Sequence, residues 1–276
     1  MRTQEPKWPA VVLIVVLAGA AGFWWWYTQH RATVAPAPIA SAPAAPRVAA
    51  PVASGPAYPL DTANEAPLAN ADIEPALIQL FGSSAVKSFL QTGDFPRRVV
   101  AMIDNLARSH APSAVWPVKP APGRFTVEET AQGTTVAASN AHRYAPFVHW
   151  AADIDAKKAV ALYRRMYPLL ENAYRELGLG NRYLNDRVIE VVDALLATPE
   201  PQSAPLVQLE EVKGPYPSER PWVRYQYVDP ELESLAAGQK ILVRVGPANE
   251  RILKRKLSEL RLLLVQPKLK PASSAS

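Results

Sequence analysis

Arg97, Arg98, Asp104, Arg143, Tyr144, Asn185, Asp186 and Arg187 are the side chains of this 276-residue chain with the most polar chemistry to offer. They fall at the starts or ends of predicted helices, where Asn and Asp cap free backbone N–H groups and Arg pairs with carboxylates or terminal carbonyls. Two accounts fit that placement. One is a buried ion-pair network holding helices together; the other is a shared recognition groove for an anionic or peptidic ligand. Replacing Arg143 or Arg187 separates them, because a structural role costs melting stability and a binding role costs partner capture alone.

Catalytic and metal-binding patterns are sparse. His142, His149 and Asp153 are spaced to share one helical face, but seven residues put the two histidines about 10 Å apart along a helix, too far to reach one ion together. No metal site is expected. Glycoside cleavage needs two carboxylates at a set spatial separation, which sequence spacing does not define. Glu128, Glu129, Glu210 and Glu211 are the nominal members of such a pair, although adjacent acids on a strand send one toward solvent. No serine sits in a Gly-x-Ser-x-Gly elbow, and Gly82-Ser83-Ser84 reads as a helix end followed by a new N-cap. Gly178-Leu179-Gly180 follows a helix rather than a strand and reads as a C-cap, so no phosphate loop and no cofactor is expected. The chain has no cysteine, which removes disulfides, thiolate catalysis and cysteine metal sites.

A second polar group lies near the C-terminus: Arg251, Lys254, Arg255, Lys256 and Arg261, with Lys268 and Lys270 beyond. They are either the solvated face of a helix packed through its leucines or a surface for anionic lipid or cell-wall polymer. The net charge is only +5, with acids interspersed, which is too mild to argue for nucleic acid.

The elements that carry these residues are mainly helical. Asp155 is a plausible N-cap, and Tyr163, Tyr167, Leu170, Tyr174 and Leu177 follow at four- and three-residue steps before Gly178, predicting a core helix over 155–177, kinked by Pro168. Leu184, Val188, Val191 and Leu195 repeat the pattern until Thr198-Pro199, and Leu253, Leu257, Leu260 and Leu264 do so after Pro247. Shorter helices are predicted at 72–81, 84–91, 96–107 and 231–244. Strands are predicted at 125–129 returning into 134–136, and at 206–212 returning into 222–228. The expected fold is mainly α with a small antiparallel β component, an α+β domain over residues 72–266.

Ahead of that domain, Trp8–Tyr27 is an unbroken run of twenty apolar or aromatic residues ending in Trp24-Trp25-Trp26-Tyr27. At about 1.5 Å per residue it matches the roughly 30 Å hydrocarbon core, and the aromatic block suits the interface. Retention as a transmembrane anchor is favoured over signal cleavage after Ala20, which would leave an apolar new terminus. Arg2 and Lys7 before the run outweigh Arg31 after it, so residues 1–7 are expected in the cytoplasm and the rest in the periplasm, with lipid as the partner of Trp8–Tyr27. Residues 28–71 are expected to be a disordered tether: 32–71 hold fifteen Ala, eight Pro and few charges. Fully extended, they would reach about 120 Å. Residues 267–276 are expected to be a disordered tail.

Several segments in order carry a family resemblance: Ser88-Phe89-Leu90-Gln91-Thr92, Arg97-Arg98-Val99-Val100, Asp104-Asn105-Leu106, Trp116-Pro117-Val118, Asn140 with Arg143-Tyr144, Ala161-Leu162-Tyr163-Arg164, Tyr183-Leu184-Asn185-Asp186-Arg187, Leu196-Ala197-Thr198-Pro199-Glu200 and Gly238-Gln239-Lys240-Ile241-Leu242. Over roughly residues 74–262 the chain resembles the bacterial family catalogued as domain of unknown function 3014, with Gly93 and Pro96 departing from its more acidic and aliphatic pattern. The resemblance implies a membrane-anchored proteobacterial protein and supplies no activity or catalytic residue. The expected function is therefore a non-enzymatic envelope module that binds an envelope protein or cell-wall polymer, the competing class being a cell-wall or glycan hydrolase.

Overall fold

Helix stripes of apolar residues at three- and four-residue steps dictate most of the fold, and in the computed structural model they converge on shared cores. The structure describes residues 55–62, 65–179, 182–210 and 220–265. The run Trp8–Tyr27, the stub before it and the tail 267–276 lie outside them. Among the described residues no helix is long and apolar enough to cross a membrane.

The helices are α1 (Ile73–Phe81), α2 (Ser83–Phe89), α3 (Phe95–Leu106), α4 (Ser139–Asp153), α5 (Ala156–Glu176), α6 (Leu184–Leu196), α7 (Pro230–Ser234), α8 (Ala237–Arg244) and α9 (Pro247–Leu264). Helix α5 forms the spine. Asp155 caps it, its carboxylate accepting the Lys158 N–H at 3.1 Å. Gly178 ends it in a left-handed conformation (φ +76°), with the Gly178 N–H on the Arg175 carbonyl and the Leu179 N–H on that of Tyr174. The helix runs continuously through Pro168, which faces solvent, so the one backbone bond lost there lies on the wet side. Leu162, Met166, Leu170 and Tyr174 from α5 meet Leu77 of α1, Val100 of α3 and Leu184 of α6 in the main core.

A single helix predicted over 231–244 is two, α7 and α8, separated at Leu235 and Ala236. Helix α4 has no counterpart among the predicted elements. It packs along α9, while Phe147 and Trp150 on its other flank join Phe81 and Phe89 in an aromatic cluster with centroids 5.0–5.9 Å apart.

Among the described residues the β component comprises two antiparallel pairs, β1 (Val127–Thr130) with β2 (Gly133–Val136) and β3 (Val207–Leu209) with β4 (Tyr225–Tyr227). A bridge between Thr135 and Leu206 links the pairs. Residue 211 and the turn after it lie outside the described residues. Val207 and Tyr227 pack on Val243 of α8, seating the strands against the helices. The class is α+β, mainly helical, with two small sheets rather than one.

The domain begins earlier than composition suggested. The expected tether to residue 71 gives way by residue 55, because Tyr58, Leu60 and Leu68 supply apolar side chains among the Pro and Ala. Tyr58 and Leu60 pack beside Val160, Ile189 and Leu264. Leu68 is buried in the main core and its N–H donates to the Arg165 carbonyl at 3.0 Å.

Candidate functional site

The eight polar residues singled out from the sequence divide among separate places. Asn185 and Asp186, in the first turn of α6, hold the arriving N-terminal segment: Asp186 accepts the backbone N–H groups of Ala57 at 2.9 Å and Tyr58 at 2.8 Å, and the Asn185 amide donates to the Tyr58 carbonyl at 2.8 Å. Asn185 also accepts from the Tyr163 hydroxyl at 3.3 Å, and burial raises the Tyr163 pKa well above its ordinary range. The next residue, Arg187, reaches back to Asp104 of α3 at 3.3 Å and to Glu190 at 2.9 Å, joining α6 to α3. Asp104 in turn accepts from Arg108 at 2.8 Å.

Arg143 and Tyr144 sit elsewhere, on α4. The Arg143 guanidinium donates to the Pro122 carbonyl at 2.9 Å, to Gly123 at 3.3 Å and to Asn140 at 3.1 Å, fixing the loop that leads into β1. Arg98 does similar work at the start of α3, donating to the carbonyls of Gly93 (2.8 Å) and Ala114 (3.0 Å). Arg97 is exposed. These bonds go to the protein's own backbone and carboxylates, so the eight residues do not form one groove.

The basic residues of α9 are similarly engaged. Lys256 pairs with Glu259 at 2.7 Å, Arg251 with Glu200 at 3.6 Å, and Arg261 clasps Asp193 with two nitrogens. Lys254 lies between Glu250 at 2.9 Å and Glu200 at 3.4 Å. Arg255 is exposed. A helix face whose cations are mostly matched by acids presents little net field to an anionic polymer.

The described residues form an open-mouthed cavity of about 440 Å³ where α4, the β1–β2 pair, the loop 201–205 and the α8–α9 junction meet. Its walls are mostly small and apolar, including Val136, Ala137, Ala141, Pro205 and Pro247, and its ionisable lining residues are Glu128, Arg244 and Glu250. Glu250 is 1% exposed, in the first turns of α9. The Lys254 ammonium stands 2.9 Å from Oε1 and balances its charge. Burial raises the Glu250 pKa above the ordinary carboxylate value, against the pull of Lys254. Arg244 donates to the Tyr225 carbonyl at 2.7 Å and lies over the Tyr227 and Phe125 rings, yet its Nε is buried without a partner.

Asn140 forms the floor support. It is 1% exposed, accepts the Thr126 N–H at 3.0 Å and donates to the carbonyls of Thr126 and Ala137 at 2.6 and 2.9 Å. Asn249, beside Glu250, donates to the Ala141 carbonyl at 2.8 Å and so locks α9 to α4. The Asn140 bonds engage both ends of its amide.

Of the four acids named from the sequence, Glu128 lines this cavity and Glu129 turns to Thr134, which donates to it at 2.9 Å. Glu210 borders a different, polar recess of about 300 Å³ with His110, Glu233 and Lys240, and Glu211 lies outside the described residues. His142, His149 and Asp153 are exposed on α4, and no group of three His, Cys, Asp or Glu among the described residues is placed to hold a metal ion. Glu250 itself was legible in one respect: it falls in phase with Leu253, Leu257, Leu260 and Leu264, an acid on an apolar stripe.

No curated protein and no solved structure matches the chain. The model of the protein family of unknown function DUF3014 matches residues 95–261, from the start of α3 to the last turn of α9, which leaves the Ser88–Thr92 segment outside the match. That span is more than half the chain and contains every lining residue of the cavity. The chain belongs to the DUF3014 family of proteins of unknown function.

Proposed function

We propose that the chain is a non-enzymatic binding module of the bacterial cell envelope, held at the inner membrane by Trp8–Tyr27 and presenting its folded domain in the periplasm. The observation that carries the binding reading is the cavity beside Glu250. Alanine and proline make up much of its walls, and a small apolar pocket with few polar groups is the usual form of a ligand site. The length, aromatic end and flanking charges of Trp8–Tyr27 support the anchor and its orientation.

In-cell crosslinking tests this reading. A photoreactive residue at Gln202, on the exposed rim of the cavity, is expected to capture an envelope protein or cell-wall fragment; capture of nothing from the envelope in repeated trials overturns it. Reporters fused after residue 70 are expected to work only outside the cytosol, and cytosolic activity overturns the topology.

One observation favours the second reading, a cell-wall or glycan hydrolase. Glu128 and Glu250 line the same cavity, and the raised pKa of Glu250 is what a general acid needs. Release of soluble fragments from cell-wall sacculi, abolished by both Glu128→Gln and Glu250→Gln, would establish the hydrolase in place of the binder.

A further inference from the structure

The backbone of the loop that walls one side of the cavity is tied at its two ends. At the far end the Val136 N–H donates to the Pro205 carbonyl at 3.1 Å, and Leu206 bridges Thr135 of β2. At the near end the buried Thr198 hydroxyl donates to the Leu195 carbonyl at 2.8 Å, which keeps Thr198 with α6. Residues 199–204 make no backbone hydrogen bond to another described residue, and Gln202, Ser203 and Ala204 are exposed. Pro199, Pro201 and Pro205 fix their own φ angles, so the stretch moves as a stiff strap.

Between those ends the strap is held through Glu200, which pairs with Lys254 at 3.4 Å and Arg251 at 3.6 Å, both on α9. Lys254 is shared: its ammonium also donates to the Thr198 carbonyl at 2.5 Å and stands 2.9 Å from Glu250. Two carboxylates therefore compete for one ammonium, a buried one fixed on α9 and an exposed one on the strap. While Glu250 is ionised it holds the closer share of Lys254 and repels Glu200. Once it is neutral, both effects turn to draw Glu200 inward. Burial raises the Glu250 pKa against the pull of Lys254, and the Glu200 charge adds to the rise, so mild acid suffices to discharge it. The other charges facing Glu250 are few. Arg251 is on its own helix, and Glu128 of β1 and Arg244 of α8 line the cavity with it. The α4 residues that line it, Asn140 and Ala141, do not titrate, and His142 of that helix is exposed. On α6, Asp193 is clasped by Arg261, and α5 meets α9 further along, at Val160 beside Leu260 and Leu264.

We propose that residues 199–205 form a lid on the cavity, latched by Lys254 through Glu200 and drawn closed when Glu250 loses its charge. This rests on the binding-module reading above and names the regulation of that same site: an occupant enters while Glu250 is ionised and is held at lower pH. Closure and proton uptake are linked, so an occupant that holds the lid down raises the proton affinity of Glu250 in return.

The chain has no cysteine, so a bimane attached at Gln202→Cys reports from one position. The test uses the full chain in detergent micelles with Ala248→Trp, on the α9 side of the cavity, as quencher; both positions are exposed and line the cavity, and the same label without Ala248→Trp sets the baseline. Quenching is expected to rise as pH falls from about 8 to about 5, the ratio of closed to open lid changing about two- to fivefold, the range one exposed ion pair supplies. Glu250→Gln is expected to hold the acid level of quenching at every pH. Lys254→Met is expected to lose quenching and flatten the profile. Glu200→Gln, at an exposed position, is expected to do the same, which covers the case in which Lys254→Met strands Glu250 and does not fold. His142→Gln is expected to leave the profile as it is. Quenching that is flat or falls on acidification, keeps its pH dependence in Glu250→Gln, ignores Glu200→Gln or follows His142 overturns the proposal. If the profile fails while a photoreactive residue at Gln202 captures an envelope partner in cells, the lid falls and the binding module stands; if the profile holds while nothing is captured, the latch stands and the binding module falls.

Discussion

The Asp186 carboxylate accepts the Tyr58 N–H at 2.8 Å, a bond between residues 128 positions apart that fixes where the N-terminal segment joins the folded domain. The second oxygen takes the Ala57 N–H at 2.9 Å, and Asn185 takes the Tyr58 carbonyl, so two consecutive side chains hold two consecutive peptide units. Side chains of α6 thereby set the domain boundary, which composition alone placed too late.

Asp186→Ala removes both charge-assisted bonds at once. Each such bond is worth about 1.5–3 kcal/mol, but the segment is partly exposed, and the expected outcome is local: faster proteolysis within 55–62, with a loss in global stability of about 1–2 kcal/mol. Unchanged cleavage between wild type and variant would show that Tyr58 and Leu60 dock by apolar contact alone.

Arg187 and Asp104 are 11% and 13% exposed at their side chains, so their 3.3 Å pair is nearly dry. Arg187→Met leaves Asp104 with Arg108 and Glu190 with Arg182. That residual pairing limits the expected cost to about 2–3 kcal/mol in urea unfolding. Arg187→Lys is expected to recover less than half of it, because one ammonium cannot span Asp104 and Glu190 as the guanidinium fork does. If Arg187→Met melts like wild type but loses an envelope partner, the residue is a recognition group instead.

The sequence was most readable where one apolar stripe decides one element. Asp155, the four- and three-residue steps of α5 and Gly178 define that helix because each end has its own capping chemistry. Helix α4 was hidden for the opposite reason: Pro146 stands inside it, its fully buried positions are Asn140 and Val148, and its aromatics pack toward α2 rather than along one stripe. The same logic applies to the candidate site. Arg187 with Asp104 and Asn185 with Tyr58 pair across distances in sequence that no spacing rule reaches. The cavity is bounded largely by Ala and Pro, which carry no periodic pattern of their own and come together only where the strands and α9 meet.

Gly238 tests how closely α8 approaches its neighbours. A Cβ there would fall 2.8 Å from Leu195 Cδ2 and 3.0 Å from the Leu106 carbonyl oxygen. The leucine can turn away, but the carbonyl belongs to the end of α3 and cannot. Gly238→Ala is therefore expected to destabilise by about 1–2 kcal/mol, overpacking outweighing the gain of up to about 1 kcal/mol in helix propensity. Equal or greater stability in urea would mean that α8 shifts without cost.

Glu250 and Glu233 are expected to give stability–pH curves of opposite slope. Burial raises the Glu250 pKa above its ordinary 4.5, with Lys254 only partly offsetting it. The folded protein then holds this proton where the unfolded chain has released it, so stability falls as pH rises from 4.5 through the folded pKa, and the loss persists above it. Burial also pushes Glu233 upward, but the Lys240 ammonium and the Tyr227 N–H, each donating at 2.9 Å, outweigh it and the net pKa is lowered. Its contribution is full above 4.5 and is lost as pH falls through the folded value. Urea melts between about pH 3 and about pH 8 are expected to show wild type losing ground to Glu250→Gln with rising pH and gaining ground on Glu233→Gln. Two parallel difference curves would mean that neither burial nor the Lys240 bridge governs these carboxylates, and a rising Glu250 curve would mean that Lys254 dominates the cavity wall.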